Sequence, residues 1–419
     1  MTDSRPESSK PLARKPLFFG WWQVLVALLV QAVATGTIAY SYSVVVVPLA
    51  GEFESSRMTL MLGMTTMTLV GGLLSPWLGA SIDRFSLKRM MLIAAISLGV
   101  GFFALSLING IWQMPLIYAV FMSLSSVILG PLAASTLLAR WFTKRRGLAM
   151  GLAAMGTSLG GFLFPPLLQF LIDSYEWRTA FRLLGAVVLL ILVPLIGLLA
   201  TDWPAQRQLF ADGDDCATPE DGTGNTGPRY DSVRAIMRER NFWAIAMVMG
   251  ALFSTYSMLL SNLAPFAIGS GASADQAALM ISIIAVMGLI GKLLFGTIAD
   301  RVDLRFGLAG SATLLALGLL CYLNNESVSF LLAGSVLVGL AAGGMLPVWG
   351  ALMAQAFGVS SYGRVMGLMN PIIMPFNILS PPLAGAIFDR TGSYQLTFIV
   401  FSIMLLLAVC TLPLIQLRR

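Results

Sequence analysis

The chain has 419 residues, of which 57% are apolar and only 11% charged, where a soluble domain carries about 25% charged residues. So few charges cannot give a body of this size a polar skin, which excludes an ordinary water-soluble enzyme and points to a surface facing lipid. The net charge of +6 comes with no histidine and with three scattered cysteines, Cys216, Cys321 and Cys410; this argues against a disulfide framework, a metal centre or other bound cofactor, and a histidine base.

In chain order, a polar tail over 1–17 precedes apolar runs at 18–50, 58–80, 90–109, 111–139, 147–172 and 179–200. Six more follow at 242–269, 276–299, 306–323, 327–357, 365–388 and 394–416, leaving 417–419 as an end. Each run is long enough to cross a hydrocarbon core of about 30 Å as a helix rising 1.5 Å per residue. The expected fold is therefore an all-α integral membrane protein of twelve transmembrane helices. The tail has no apolar segment ahead of a small-residue cleavage site, so it is not expected to be a cleaved signal.

Between the sixth and seventh runs, 201–241 carries Asp212, Asp214, Asp215, Glu220 and Asp221 among Gly, Thr and Pro. That composition cannot bury a core and predicts a mobile linker, ending in a short basic amphipathic helix over Asp231–Asn241. It separates an N-terminal half, 18–200, from a C-terminal half, 242–416. Lys and Arg fall 21 to 4 in favour of the side that holds both termini and the linker, which places that side in the cytoplasm. The net charge is then a matter of topology and requires no nucleic-acid partner.

The loop after span 2 reads Gly79-Ala-Ser-Ile-Asp83-Arg84-Phe-Ser-Leu-Lys88, and the loop after span 8 reads Gly296-Thr-Ile-Ala-Asp300-Arg301-Val-Asp-Leu-Arg305. Both fit G-x3-D-R-x3-[KR] at an offset of 217 residues. Gly147-Leu-Ala-Met-Gly151 and Gly363-Arg-Val-Met-Gly367 repeat at an offset of 216, at the starts of spans 5 and 11. Two six-helix units related as a parallel repeat mark a transporter whose halves rock about a site between them.

On these residues the chain resembles the major facilitator superfamily over nearly its whole length. Within it, the chain is similar to the monocarboxylate transporter and oxalate:formate antiporter group. The residues that carry this are Gly20-Trp21-Trp22, Arg140-Trp141-Phe142-Thr-Lys144-Arg145-Arg146-Gly147, and Tyr175-Glu176-Trp177-Arg178. The resemblance implies a gating motif made of Gly79, Asp83 and Arg84 with Gly296, Asp300 and Arg301. Asp83 would face the start of span 11 near Arg364, and Asp300 the start of span 5 near Arg145 and Arg146. The alternative reading of these charges is that they set topology alone.

All twenty acidic residues fall in loops or at span edges, and of 26 cations only Lys292 lies well inside a span. A Lys near a helix centre costs about 2.5–3.5 kcal/mol on insertion scales, so a functional role is the default reading. With no carboxylate at its depth, an anionic substrate is its natural partner, and a single cation favours a monoanion. The competing reading is that the side chain snorkels toward the loop at Asp300. The resembled family carries a substrate-binding cation at this register, four residues before the motif glycine. Its mammalian members add an Asp where this chain has Gly288 and a Lys near Tyr42. Its oxalate exchangers add a Lys in span 11, where this chain offers Asn370 and Asn377.

Spans 1, 4, 7 and 10 line the cavity in the resembled fold. This adds Gln31, Tyr40, Tyr42, Tyr256, Asn262 and Trp349 to the expected substrate-binding residues, each with interhelical hydrogen bonding as its plain alternative. The expected function is secondary transport of a small organic anion, a monocarboxylate, by alternating access. Transport is proton-coupled, with Lys292 itself able to carry the proton, or proceeds by anion exchange. Export of amphipathic compounds or import of a vitamin-like aromatic is the alternative. No nucleophile, metal ligand set or carboxylate pair lies within a span, so an enzyme is not expected. The expected setting is a functional monomer in the bilayer of a cell membrane, the inner membrane if the source is prokaryotic.

Overall fold

The computed structural model describes residues 18–55, 57–214, 230, 232–324 and 327–416. The expected tail over 1–17, the end over 417–419 and the linker's middle lie outside the described residues. Among those described there are no strands. Backbone polar groups in lipid must be satisfied within the segment, and twelve apolar helices do this. They are α1 Gly20–Glu52, α2 Thr59–Arg84, α3 Leu87–Ser106, α4 Gln113–Trp141, α5 Arg146–Tyr175, α6 Trp177–Leu199, α7 Arg240–Gly269, α8 Asp275–Ala299, α9 Leu304–Leu323, α10 Val328–Phe357, α11 Val359–Thr391 and α12 Gln395–Leu414. Each coincides with one expected span to within four residues, except that α11 begins six residues before its expected start.

Side-chain caps set some of the starts. Ser86 accepts a hydrogen bond from Arg89 N before α3, and Ser273 and Gln276 form a reciprocal capping box at the start of α8. Several helices depart from regular winding. A π-turn occupies Gly36–Tyr40 in α1, and at Gly130 in α4 the backbone leaves helical geometry (φ −76°, ψ −156°). Pro131, which has no N–H to donate, follows at once, so α4 kinks there.

Helices α1–α6 pack as one unit and α7–α12 as another. The units touch where α2 crosses α11 and where α5 crosses α8. Both crossings are built on the repeated glycines. A methyl group on Gly296 would sit 2.8 Å from Gly147 O and 3.1 Å from Gly151 Cα. A methyl group on Gly79 would overlap Gly363 O. Side chains at these positions would hold the helices apart, so glycine is what lets the two halves meet backbone to backbone.

The linker departs from expectation. Its first part, 201–214, packs against the N-terminal half. Thr201 O accepts from Trp141 Nε1 at 2.8 Å, and Asp202 Oδ1 accepts from Lys88 N at 2.7 Å. Asp212, in a left-handed conformation (φ 57°), accepts from Thr143 N, Lys144 N and Arg145 N at 2.8, 2.7 and 3.3 Å. Asp202 thus serves as acceptor for an orphan N–H group in the first turn of α3, and Asp212 as acceptor for the N–H groups of the turn that leads into α5. On the far side of 215–229, which lie outside the described residues, Tyr230 N donates to Ser361 Oγ at 2.9 Å and a short helix spans Val233–Arg238.

Candidate functional site

Between the halves lies a cavity of about 850 Å³ lined by α1, α2, α4, α5, α7, α8, α10 and α11. The glycine crossings separate it from the side that bears the two G-x3-D-R loops. Helices α3, α6, α9 and α12 take no part in the lining.

Lys292 reaches this cavity from α8. Its backbone lies at the α5 crossing, where a methyl group on Gly151 would overlap Lys292 O. Its ammonium donates to Thr157 Oγ1 at 2.6 Å and Ser158 Oγ at 2.7 Å. Thr157 is six residues beyond Gly151, about 9 Å along α5 at 1.5 Å per residue. The side chain therefore runs away from the Asp300 loop and into the cavity, opposite to the snorkelling alternative. Among the described residues no carboxylate pairs with it, and it is only 8% exposed.

The repeat supplies a counterpart. Ser75 stands 217 residues before Lys292, the offset that relates the two doubled loops. Its hydroxyl accepts from Asn370 Nδ2 at 2.9 Å, joining α2 to α11 as Lys292 joins α8 to α5. Each interface between the halves therefore carries one polar latch at the cavity floor, and one of the two is charged.

The other expected substrate-binding residues divide. Tyr40, Tyr256, Trp349, Asn370 and Asn377 line the cavity. Gln31, Tyr42 and Asn262 are not among its lining residues and hold contacts within their own halves. Gln31 Nε2 donates to Ala153 O at 3.0 Å, tying α1 to α5. Tyr42 OH donates to Leu60 O and accepts from Met64 N at 3.1 Å. Asn262 Nδ2 donates to Met258 O at 2.8 Å, and Oδ1 accepts from Tyr394 OH at 3.2 Å. The π-turn at Gly36–Tyr40 explains part of this division: an extra residue in one turn shifts the helix face, so Tyr40 and Tyr42 cannot be placed by a regular 3.6-residue count.

On the loop side, the carboxylates of the doubled motif span the two halves. Asp83 accepts from Gly363 N at 2.9 Å and Arg364 N at 2.8 Å, at the start of α11. Asp300 accepts from Gly147 N at 2.5 Å and Leu148 N at 2.9 Å, at the start of α5. Each carboxylate sits at the positive end of a helix from the opposite half. Burial pushes the Asp300 carboxyl up from its ordinary value, against the pull of its two N–H donors. Arg140 of α4, nearly buried, donates to Ile82 O at 3.0 Å and lies over the Trp203 ring at 4.7 Å, tying the loop, α4 and the linker together. The remaining motif residues, Arg84 and Arg301, are exposed.

Thr157, Ser158 and Ser75 were not singled out in the sequence. The repeat offset alone would have pointed to Ser75, as the partner position of Lys292. Nothing local marks Thr157 and Ser158, which sit in a run of Gly and Ala that reads as close packing.

A two-halved helical bundle enclosing a central cavity, with glycine crossings and carboxylate caps on one side, is the architecture of a membrane transporter. The family model of the Major Facilitator Superfamily matches residues 24–292 and 255–418, and the chain belongs to that superfamily. It is 31% identical over 278 residues to monocarboxylate transporter 11 of Mus musculus, covering 64% of this chain and 59% of that protein. It is 28% identical over 294 residues to monocarboxylate transporter 12 of Homo sapiens, covering 64% and 55%. An MFS-type transporter of Aspergillus fumigatus is 26% identical over 348 residues, covering 80% and 77%. Against the monocarboxylate transporters, the matched region thus spans little more than half of each relative's length.

Proposed function

We propose that this transporter carries a small organic monoanion, a monocarboxylate, by alternating access. The observation that carries the reading is Lys292: a cation in a largely apolar cavity, between the halves, held by two hydroxyls and by no carboxylate among the described residues. A substrate carboxylate supplies the missing counter-charge where low polarity strengthens the attraction. The names of the monocarboxylate transporter relatives agree with this chemistry. Transport couples to proton uptake at Lys292 or proceeds by exchange of anions. The cavity needs no residue from a second chain, in keeping with a monomer.

The 21 to 4 distribution of cations supports a cytoplasmic location for both termini and the doubled loops, in a cell membrane. In this reading Gly79, Asp83, Arg84, Gly296, Asp300 and Arg301 form the cytoplasmic gate, shut in the present arrangement. Opening it releases the carboxylates from the starts of α11 and α5.

A second reading, a bulkier amphipathic or aromatic substrate, is favoured by the volume of the cavity and by Tyr40, Phe162, Phe253, Tyr256 and Trp349 in its lining. Counterflow in proteoliposomes with acetate, lactate, pyruvate, benzoate and phenylacetate separates the two. The monoanion reading expects uptake of at least one acid that Lys292→Gln abolishes. Full uptake by the Lys292→Gln carrier, or equal uptake of an uncharged analogue, would sink it.

A further inference from the structure

The cavity has two polar walls, and only one of them is charged. On one side α8 meets α5, where Lys292 is held by Thr157 and Ser158. On the other α2 meets α11, where the repeat puts Ser75 in the place of Lys292 and Asn370 Nδ2 donates to it at 2.9 Å. That single bond leaves Asn370 with one N–H and its carbonyl oxygen unengaged among the described residues. Asn377 stands seven residues further along α11, about 10 Å at 1.5 Å per residue. Its carboxamide has no hydrogen-bond partner among the described residues either. Both asparagines line the cavity, as the return of a helix to one face after seven residues requires. The helices that belong to neither crossing add mostly apolar lining, with Val127 and Leu132 from α4, Phe253 from α7, and Met345 and Leu346 from α10. Among the described lining residues Lys292 alone carries a charge.

We propose that Asn370 and Asn377 form a subsite for an uncharged hydrogen-bonding group, so that the substrate is a monocarboxylate whose far end carries a hydroxyl, carbonyl or amide across an apolar spacer. The inference rests on the reading of Lys292 as the anion site and names the class of acid that fits it. A ligand that fills the cavity displaces water from both carboxamides. An acid with a purely apolar tail leaves their donors and acceptors unmade, at the desolvation cost of each. A dicarboxylate sets its second charge against neutral groups with no cation to offset it. A neutral polar end avoids both costs, because a carboxamide offers a donor and an acceptor together. A polar group next to the carboxylate, as in lactate, stays with the Lys292 wall and leaves the asparagines unmet.

The test is competition against counterflow of whichever acid of the panel is fastest. The competitors are straight-chain acids of four, six and eight carbons, each as the unsubstituted acid, the 2-hydroxy acid, the acid hydroxylated at its far end, and the dicarboxylate. At one chain length at least, the far-end hydroxy acid should inhibit the unaltered protein at about tenfold lower concentration than the other three, the effect of one or two neutral hydrogen bonds. Asn377→Leu, at an exposed position with no hydrogen bond to lose, should shrink that advantage. Asn370→Leu/Asn377→Leu should bring the far-end hydroxy acid and the unsubstituted acid within about threefold of each other. Each ratio is taken within one preparation, so expression level does not enter it, and the comparison in the unaltered protein needs no variant to fold. If at no chain length the far-end hydroxy acid surpassed the other three, the proposal would be overturned while the anion reading stood, and so it would if the advantage survived in the double variant. Full counterflow by Lys292→Gln would overturn both.

Discussion

Replacing Gly79 by alanine tests whether the backbone contact of α2 with α11 is what closes the loop side. A Cβ at Gly79 would overlap Gly363 O and lie 3.0 Å from both Gly363 C and Gly367 Cα, where carbon–oxygen contacts settle at about 3.3–3.6 Å. The two helices must therefore part by about 1 Å. The bonds from Gly363 N and Arg364 N to Asp83, now 2.9 and 2.8 Å, would stretch to about 3.8 Å, outside the range in which an N–H···O bond holds. Hydrogen bonds to a charged group contribute about 1.5–3 kcal/mol each, so the lower value for two gives about 3 kcal/mol. That is a factor of about 150 in the ratio of closed to open carrier. The assay is double electron–electron resonance between spin labels at Phe85 and Phe306. These side chains are 67% and 69% exposed and lie beside the two motif loops in opposite halves. Cys216, Cys321 and Cys410 would be replaced first. Gly79→Ala should move the label distances from the short, closed population to a longer one. Gly385→Ala in α11 is the control, since a Cβ there meets nothing within 4 Å. If Gly79→Ala and Gly385→Ala gave the same distance distribution as the parent, the reasoning from backbone contact to closure would be refuted.

Three further outcomes follow from the geometry. Lys292→Arg should retain partial counterflow, because it keeps the charge while changing the shape of the donor; activity no higher than that of Lys292→Gln would mean that charge is not what the site supplies. Asp212→Ala removes the acceptor for three backbone N–H groups before α5, and limited proteolysis over residues 204–214 should accelerate several-fold; an unchanged cleavage rate would show that Asp212 does not hold the linker down. Burial raises the Asp300 carboxyl in the closed arrangement, so that form binds a proton more readily than one in which the carboxyl is solvated. Closure should gain as pH falls through the carboxylate range and lose that gain as pH rises through the raised value. The label distances should report this, and Asp300→Asn should flatten the dependence; an equally steep response in Asp300→Asn would assign it to other groups.

The twelve spans were legible in the sequence because a lipid-facing helix must be apolar over about twenty residues whatever surrounds it. The repeat was legible because a motif kept at offsets of 216 and 217 residues needs no structure to be seen. Lys292 stood out for the same local reason, as a charge within an apolar run. What surrounds Lys292 depends on how two helices 134 and 135 positions apart in sequence pack side by side, and no periodicity encodes that. The tertiary structure alone sent the ammonium toward Thr157 and Ser158 rather than toward the Asp300 loop. It also turned Gln31, Tyr42 and Asn262 toward partners in their own halves, Asp202 into an acceptor at the start of α3 and Asp212 into one for the turn before α5. A helix end offers orphan N–H groups to whichever carboxylate the fold brings near. The composition of a linker records that it is polar, not whether such a partner waits for it.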